Sequence, residues 1–214
     1  MGRIAGTWPS GDLILYGEVK PAQSNLLSCS PITSLTCPDT KGIPGRYCFC
    51  YCTSLKTASF PEATTLNGNK NFVGCTNLTE FYAPKLTEIG GDQFLENTAL
   101  KELNLPSLTV RLYSNSLRYN KLLEKVDLGK CKQIYSYAFQ GCSVLANVVL
   151  KTESVCTLSN TNAFQDTPFA TNGTGGTVYV PSALIPEYQT ATNWSTLYAA
   201  GTCNFVAIEG SEYE

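Results

Sequence analysis

Three sets of side chains could carry chemistry. The first is sulfur. Ten cysteines stand in 214 residues, three of them as Cys48-x-Cys50-x-Cys52. Thiols can pair as disulfides or ligate zinc. Zinc sites use cysteines two to four residues apart, commonly with histidine. Here the spacing is one residue, no second pair follows and the chain has no His, so no metal and no cofactor is expected. The second set is carboxylate. Glu80 and Glu102, if brought together, could contact a cation or a basic partner, or act as a general acid and base. Glycoside chemistry would need them in a cleft with one pKa raised. The third set is aromatic: Tyr82, and a cluster of Tyr113, Tyr119, Tyr135 and Tyr137. Tyrosine suits recognition surfaces because it is large and rigid with a polar tip.

Composition narrows these options. Charged residues make up 15% and hydrophobic residues 43%, enough apolar surface for a core and too little charge for a disordered chain. A net charge of −2 argues against a nucleic-acid partner, which normally needs a basic stripe. The lack of His removes His-based triads and the commonest general base. With no nucleophile motif and no phosphate loop either, an enzyme is not expected. No apolar run approaches the ~18 residues of a membrane span. Met1 to Gly17 does not read as a secretory signal: Arg3 is a lone basic residue and Leu13-Ile14-Leu15-Tyr16 is a short apolar run.

What positions these side chains is a repeat of 22 or 23 residues. Cys52-x-x-Leu55 recurs as Cys75-x-x-Leu78, Asn97-x-x-Leu100, Asn120-x-x-Leu123 and Cys142-x-x-Leu145. Three residues before each stands Phe49, Phe72, Phe94, Leu117 or Phe139. An alternating pair follows each, such as Leu103 and Leu105, and then Pro61, Pro84, Pro106, Gly129 or Lys151. One period earlier, Leu26, Cys29, Ile32, Leu35, Cys37 and Pro38 fit the same offsets. Ala163 to Thr167 resembles a late seventh start, which dissolves into the Gly-rich loop 172–176. The 3-and-3 spacing predicts a single helical or 3₁₀ turn, and the alternation predicts a short strand closed by proline. A further inward slot takes Ile43, Leu66, Ile89, Ile134 and Cys156. In the third full copy Arg111 falls on that slot between Val110 and Leu112, which predicts a local bulge.

One such coil cannot bury its own apolar face, so about six must stack, their strands pairing in parallel over roughly 30 Å. Most cysteines then read as small core residues. Cys29, Cys52, Cys75 and Cys142 share a slot with Asn97 and Asn120, Cys37 takes the place of Phe60, Cys131 that of Leu86, and Cys156 that of Ile89. A slot that takes Cys or Asn is small, inward and able to meet backbone groups of the turn. Free thiols are therefore favoured over bridges. Cys48, Cys50 and Cys203 are the exceptions, with no equivalent in the other copies or outside the repeat.

Outward strand positions form two rows across the stack: Ser34, Thr57, Glu80, Glu102, Lys125, Asn147, and Thr36, Ser59, Tyr82, Asn104, Asp127, Val149. Glu80, Tyr82, Glu102, Asn104, Lys125 and Asp127 are the candidate binding residues, with a solvated sheet face as the plainer alternative. An open strand face supplies neither cleft nor raised pKa, which disfavours catalysis by Glu80 and Glu102.

The motif Asn71-Phe72-Val73-Gly74-Cys75-Thr76-Asn77-Leu78, with Ala83-Pro84 and Leu86-Thr87-Glu88-Ile89-Gly90, resembles the BspA-like bacterial leucine-rich repeat, as does Ala138 to Leu145. Val178-Tyr179-Val180-Pro181 through Trp194 is similar to the cap that ends such arrays. The resemblance implies an α/β right-handed solenoid found in bacterial surface proteins and in phage or prophage proteins, without a catalytic site. It implies a module that binds a protein or glycan outside the cell or on a virion, or alternatively a structural subunit of a phage tail or other assembly, with homo-oligomers possible in either case. The fourth copy departs from the pattern at Leu117, Tyr119 and Gly129, which bears on its turn geometry. The expected organisation is an N-terminal extension or cap at 1–25, the solenoid at 26–170, and a C-terminal cap and tail at 171–214. In the first part a turn is expected at Trp8-Pro9-Ser10-Gly11 and a strand over Leu13–Val19. In the last part Ser182 is expected to cap a short helix that Pro186 disturbs, Trp194, Leu197 and Tyr198 to cover the core (a ligand platform at Trp194 being the alternative), Phe205–Ile208 to form a final strand, and the acidic end 210–214 to fray.

Overall fold

A computed structural model describes residues 10–17, 25–94, 96 and 99–214. The Trp8–Pro9 part of the expected turn, residues 18 and 19 of the expected first strand and the Asn97 slot lie outside them; the first strand ends at Ile14, and Leu15, Tyr16 and Gly17, expected to continue it, are not strand. The chain is a solenoid of short parallel strands with little helix. In chain order the strands are β1 Gly11–Ile14, β2 Ile32–Thr36, β3 Thr57–Ser59, β4 Thr65–Leu66, β5 Glu80–Tyr82, β6 Glu88–Ile89, β7 Glu102–Asn104, β8 Lys125–Asp127, β9 Gln133–Ile134, β10 Asn147–Val149, β11 Thr157–Leu158, β12 Gly176–Val180 and β13 Cys203–Ala207.

Two rows run along the solenoid. In the first, β1-β2-β3-β5 form one sheet and β7-β8-β10-β12-β13 another. β5 and β7 adjoin without ladder hydrogen bonds. These nine strands mark about eight turns among the described residues, more than the six read from the repeat, because β1 adds a strand before it and β12 and β13 continue the ladder after it. The second row holds β4 paired with β6 and β9 with β11, and Leu112 bridges Ile89 and Ile134 between them.

Backbone hydrogen bonds set the register. The N–H of each residue in the Phe column donates to the carbonyl just before the next: Phe49 to Asn71, Phe72 to Gln93, Phe94 to Ser116, Leu117 to Ala138 and Phe139 to Ala163. The rings stack along the axis, Phe49 on Phe72 at 5.4 Å, Phe72 on Phe94 at 5.4 Å and Phe139 on Phe164 at 5.1 Å. Phe164 therefore opens a true further coil. The same bonds correct the first copy. Leu27, whose N–H donates to the carbonyl of Cys48, holds the Phe position, and buried Ser30 holds the polar slot. Cys29 falls one residue short and is exposed. Downstream, Leu35 pairs with Ala58 as expected, so one residue is absorbed between Ser30 and Ile32.

The segment expected as a helical turn is a turn of another kind. Its N–H groups do reach back three residues, as in Cys75 to Phe72 and Leu78 to Cys75. But each coil from Leu27 to Phe139 carries two left-handed residues, two before and two after the Phe position, and the Phe164 coil carries only the second. The first column is Asn25, Tyr47, Lys70, Asp92, Asn115 and Tyr137; the second is Cys29, Tyr51, Gly74, Glu96, Tyr119, Gly141 and Asp166. A positive φ on either side prevents a right-handed helix from propagating. A 3₁₀ helix forms at Thr161–Phe164.

In the second column each tyrosine is followed in the next coil by a glycine, Tyr51 by Gly74 and Tyr119 by Gly141, for a steric reason. A Cβ on Gly74 would stand 2.4 Å from the Tyr51 ring, and one on Gly141 would stand 2.4 Å from the Tyr119 ring. Each tyrosine brings the Cδ1 and Cε1 side of its ring against the glycine of the next coil.

The polar slot is filled as its composition suggested. Cys52, Cys75 and Cys142 donate through sulfur to the carbonyls of Leu27, Phe49 and Leu117 in the preceding coil, at 3.0, 3.1 and 3.0 Å. Asn120 does the same toward Phe94 at 2.6 Å and also reaches Leu117. All ten cysteines are unbridged and nine are buried, Cys48, Cys50 and Cys203 included. Burial pushes the thiols of Cys37, Cys52, Cys142 and Cys203 up to about 12. Cys156 does not occupy the second-row slot; Leu158 pairs there with Ile134. The expected bulge at Arg111 is present, Leu112 taking the inward position.

The C-terminal end is closed by a 3₁₀ turn at Ser182–Leu184 and helices α1 Ile185–Thr190 and α2 Trp194–Ala199. Ser182 makes no side-chain cap. Pro186 falls in the first turn of α1, where its missing N–H costs nothing. Trp194 is fully buried, which rules out an exposed ligand platform, while Tyr198 is exposed. The cap satisfies the backbone of the last second-row strand. The Tyr188 hydroxyl accepts the Cys156 N–H at 2.9 Å, Trp194 Nε1 donates to the Cys156 carbonyl at 2.7 Å, and Asn193 donates to the Leu158 carbonyl at 2.7 Å.

Gly141→Ala should cost about 2–3 kcal/mol, combining left-handed strain with displacement of the Tyr119 ring. Gly201→Ala, equally left-handed but with open space around it, should cost only about 1 kcal/mol. Urea denaturation of the two variants checks the difference. Thiol titration is expected to label Cys29 first in the native protein and all ten cysteines in denaturant, since only a thiolate that solvent can reach reacts.

Candidate binding face

The outward residues of the first row form the candidate face. Ladder pairing places Ser34, Thr57 and Glu80 in one line, with Thr36, Ser59 and Tyr82 beside it. Across the break, Glu102, Lys125 and Asn147 continue the first line and Asn104, Asp127 and Val149 the second. Both lines run on, through Thr177 to Asn204 and through Tyr179 to Val206.

The six candidate residues divide into two environments. Glu80, Tyr82, Glu102 and Asn104 are exposed, with Tyr82 at 57%. Glu80 and Glu102 occupy strands that share no ladder hydrogen bond, so nothing fixes their carboxylates as a pair. Glu102 instead meets Lys125 at 3.3 Å. Lys125 and Asp127 are largely enclosed, their side chains 22% and 16% exposed. Asp127 accepts the Gly129 N–H at 2.8 Å and faces Lys151 at 3.9 Å.

The covering of Lys125 is supplied by the C-terminal tail, which folds back onto the sheet. Glu209 accepts the Ser182 N–H, and hydrogen bonds from its own backbone N–H and from that of Ser182 hold the carboxyl below the usual range. A turn follows, closed by Ser211 N–H to the Ile208 carbonyl and Tyr213 N–H to Ser211 Oγ. It swings Tyr213 back onto the sheet. There the ring meets Tyr179 edge-on at 4.4 Å, lies 4.8 Å from Lys125 Nζ and joins a small apolar cluster with Val149 and Ile208. Burial and the Glu212 carboxylate push the Tyr213 phenol well above its ordinary range. Nothing in the repeat pattern signals this contact. The one hint was an unusual outward valine, Val149, in an otherwise polar row.

Among the described residues no three His, Cys, Asp or Glu side chains gather as a metal site, and no helix is long and apolar enough to cross a membrane. The four tyrosines read as one cluster separate in space: Tyr119 and Tyr137 hold left-handed turn positions, whereas Tyr113 and Tyr135 stack on the second row.

The family model described as BspA type leucine rich repeat region matches residues 12–94 and 65–172, in six copies. No curated protein and no solved structure matches the chain.

If Tyr213 clamps the tail to the sheet, Tyr213→Ala should lower stability by about 1–2 kcal/mol, whereas Tyr213→Phe should stay within about 0.5 kcal/mol. Equal urea midpoints for wild type and Tyr213→Ala would mean that the tail does not hold the sheet face.

Proposed function

The chain belongs to the BspA-type leucine-rich repeat family, a family of repeat-based interaction modules, and on that premise we propose that it is a non-enzymatic recognition or adhesion module that binds a protein partner through the open half of its first-row sheet face. It acts displayed on a bacterial surface or a virion. The observation that carries this reading is the contrast between the two halves of the face. Around Lys125, Val149 and Tyr179 the sheet is covered by the protein's own tail. Across β5 and β7 it is bare, and Tyr82 stands exposed among Glu80, Glu102 and Asn104. A rigid aromatic ringed by polar groups is the usual composition of an energetic centre in a protein interface. The flanking carboxylates favour a basic partner surface and would set its approach more than its affinity.

A second reading, a structural subunit of a phage tail or similar assembly, draws on the end of the ladder. β13 pairs on one side with β12 and with no other described strand on its outer side, which leaves an edge able to extend into another copy.

Immobilised full-length chain should retain a protein from a host-surface extract. Tyr82→Ala should weaken its capture about tenfold or more, as expected for an interface centre. Unchanged capture by Tyr82→Ala and Glu80→Gln would reject this face. Retention of nothing, together with concentration-dependent self-association in sedimentation, would favour the structural reading.

A further inference from the structure

On the second row, Ile89, Leu112 and Ile134 are bridged in sequence, so the residues that follow them form a column: Gly90, Tyr113, Tyr135. The two tyrosine rings stack with centroids 5.8 Å apart and planes 11° from parallel. The Arg111 guanidinium lies 5.6 and 5.8 Å from their centroids and donates to the Tyr135 hydroxyl at 3.0 Å. One face of Tyr113 is thus taken by Tyr135. Its neighbour on the other side is a glycine, so the opposite face borders open space. That space is a cleft of about 480 Å³, bounded by Asn67, Asn69, Glu88, Gly90, Gly91, Tyr113 and Ser114, a volume within the roughly 300–1,000 Å³ of ordinary small-ligand sites. Glu88 Oε1 accepts the Tyr113 hydroxyl at 3.4 Å. The side-chain amides of Asn67 and Asn69 and the Ser114 hydroxyl are left to pair with a ligand.

We propose that this cleft binds a neutral saccharide, one pyranose ring lying on the free face of Tyr113 and its hydroxyls meeting Asn67, Asn69, Glu88 and Ser114. A pyranose combines a face of weakly positive C–H groups with a rim of hydroxyls that both donate and accept. The first complements the negative face of an aromatic ring. The second needs a lining of mixed donors and acceptors, which two amides, a carboxylate and a hydroxyl provide. An anionic ligand would meet the Glu88 carboxylate. A wholly apolar one would strip water from four polar side chains and return no hydrogen bond. The site lies on the second row of strands and uses none of the sheet-face residues, so it stands or falls independently of the interface built around Tyr82.

The test is saturation-transfer NMR on the full chain with methyl glycosides of glucose, galactose, mannose and N-acetylglucosamine at millimolar concentration, and adenosine as a planar aromatic control. At least one glycoside should receive magnetisation. Tyr113→Ala should weaken its binding about tenfold or more, and Tyr113→Phe by no more than about threefold, because the ring face and not the hydroxyl carries the contact. Asn67→Ala, at an exposed position that leaves the tyrosine stack untouched, should weaken it about threefold or more. The proposal is overturned if no glycoside receives magnetisation, if adenosine alone does, or if either alanine variant binds as tightly as wild type.

Discussion

The structure depends on each coil returning the backbone to the same height, so that its N–H groups meet the carbonyls of the next coil. A coil that missed by one residue would turn every inward side chain outward at the following strand. The Phe-column hydrogen bonds run from Leu27 to Phe139 without a missed step. The length of a coil varies between copies, and the variation is absorbed in the turns and not in the ladders. The first coil loses a residue between Ser30 and Ile32, and the third places its extra residue at Arg111, facing outward.

Two left-handed positions per coil make that return possible. They cost energy wherever the residue is not glycine, and the protein recovers some of it through contacts between coils. Tyr51 and Tyr119 lie on glycines of the following coil, and Arg118 sits 4.5 Å from the Tyr119 ring centroid. The polar slot solves a related problem. The turn leaves carbonyls directed into the core, and an unsatisfied carbonyl there is expensive. A cysteine or asparagine is small enough to fit and able to donate. That accounts for Cys52, Cys75 and Cys142 as unbridged thiols.

The same logic explains the two ends of the binding surface. Repeats need a terminal unit unlike the rest, because the last coil has no successor to satisfy its backbone. Here Tyr188, Asn193 and Trp194 supply those hydrogen bonds from the cap helices. The tail then turns back and covers Val149 and Tyr179, the apolar part of an otherwise polar face. What remains open is the half around Tyr82, together with the second-row cleft beside Tyr113.

Periodicity in the sequence determined the coil, the inward columns, the parallel strands, the slip at Arg111 and the rows holding Glu80, Tyr82, Glu102, Asn104, Lys125 and Asp127. These follow from spacing alone, because a stacked repeat gives equal offsets equal environments. Spacing could not give the displacement of Leu26 and Cys29 by Leu27 and Ser30, since both alignments present plausible apolar and small residues and only the hydrogen bonds choose between them. Nor could it give the left-handed turns, which are occupied by residues as different as Tyr, Lys, Asp and Gly. The docking of Tyr213 on Lys125 and the open face of Tyr113 above Gly90 were decided by tertiary structure. Each depends on residues outside any shared repeat position, or on the contrast between one coil and its neighbour, and a pattern read from what the copies have in common carries no information about either.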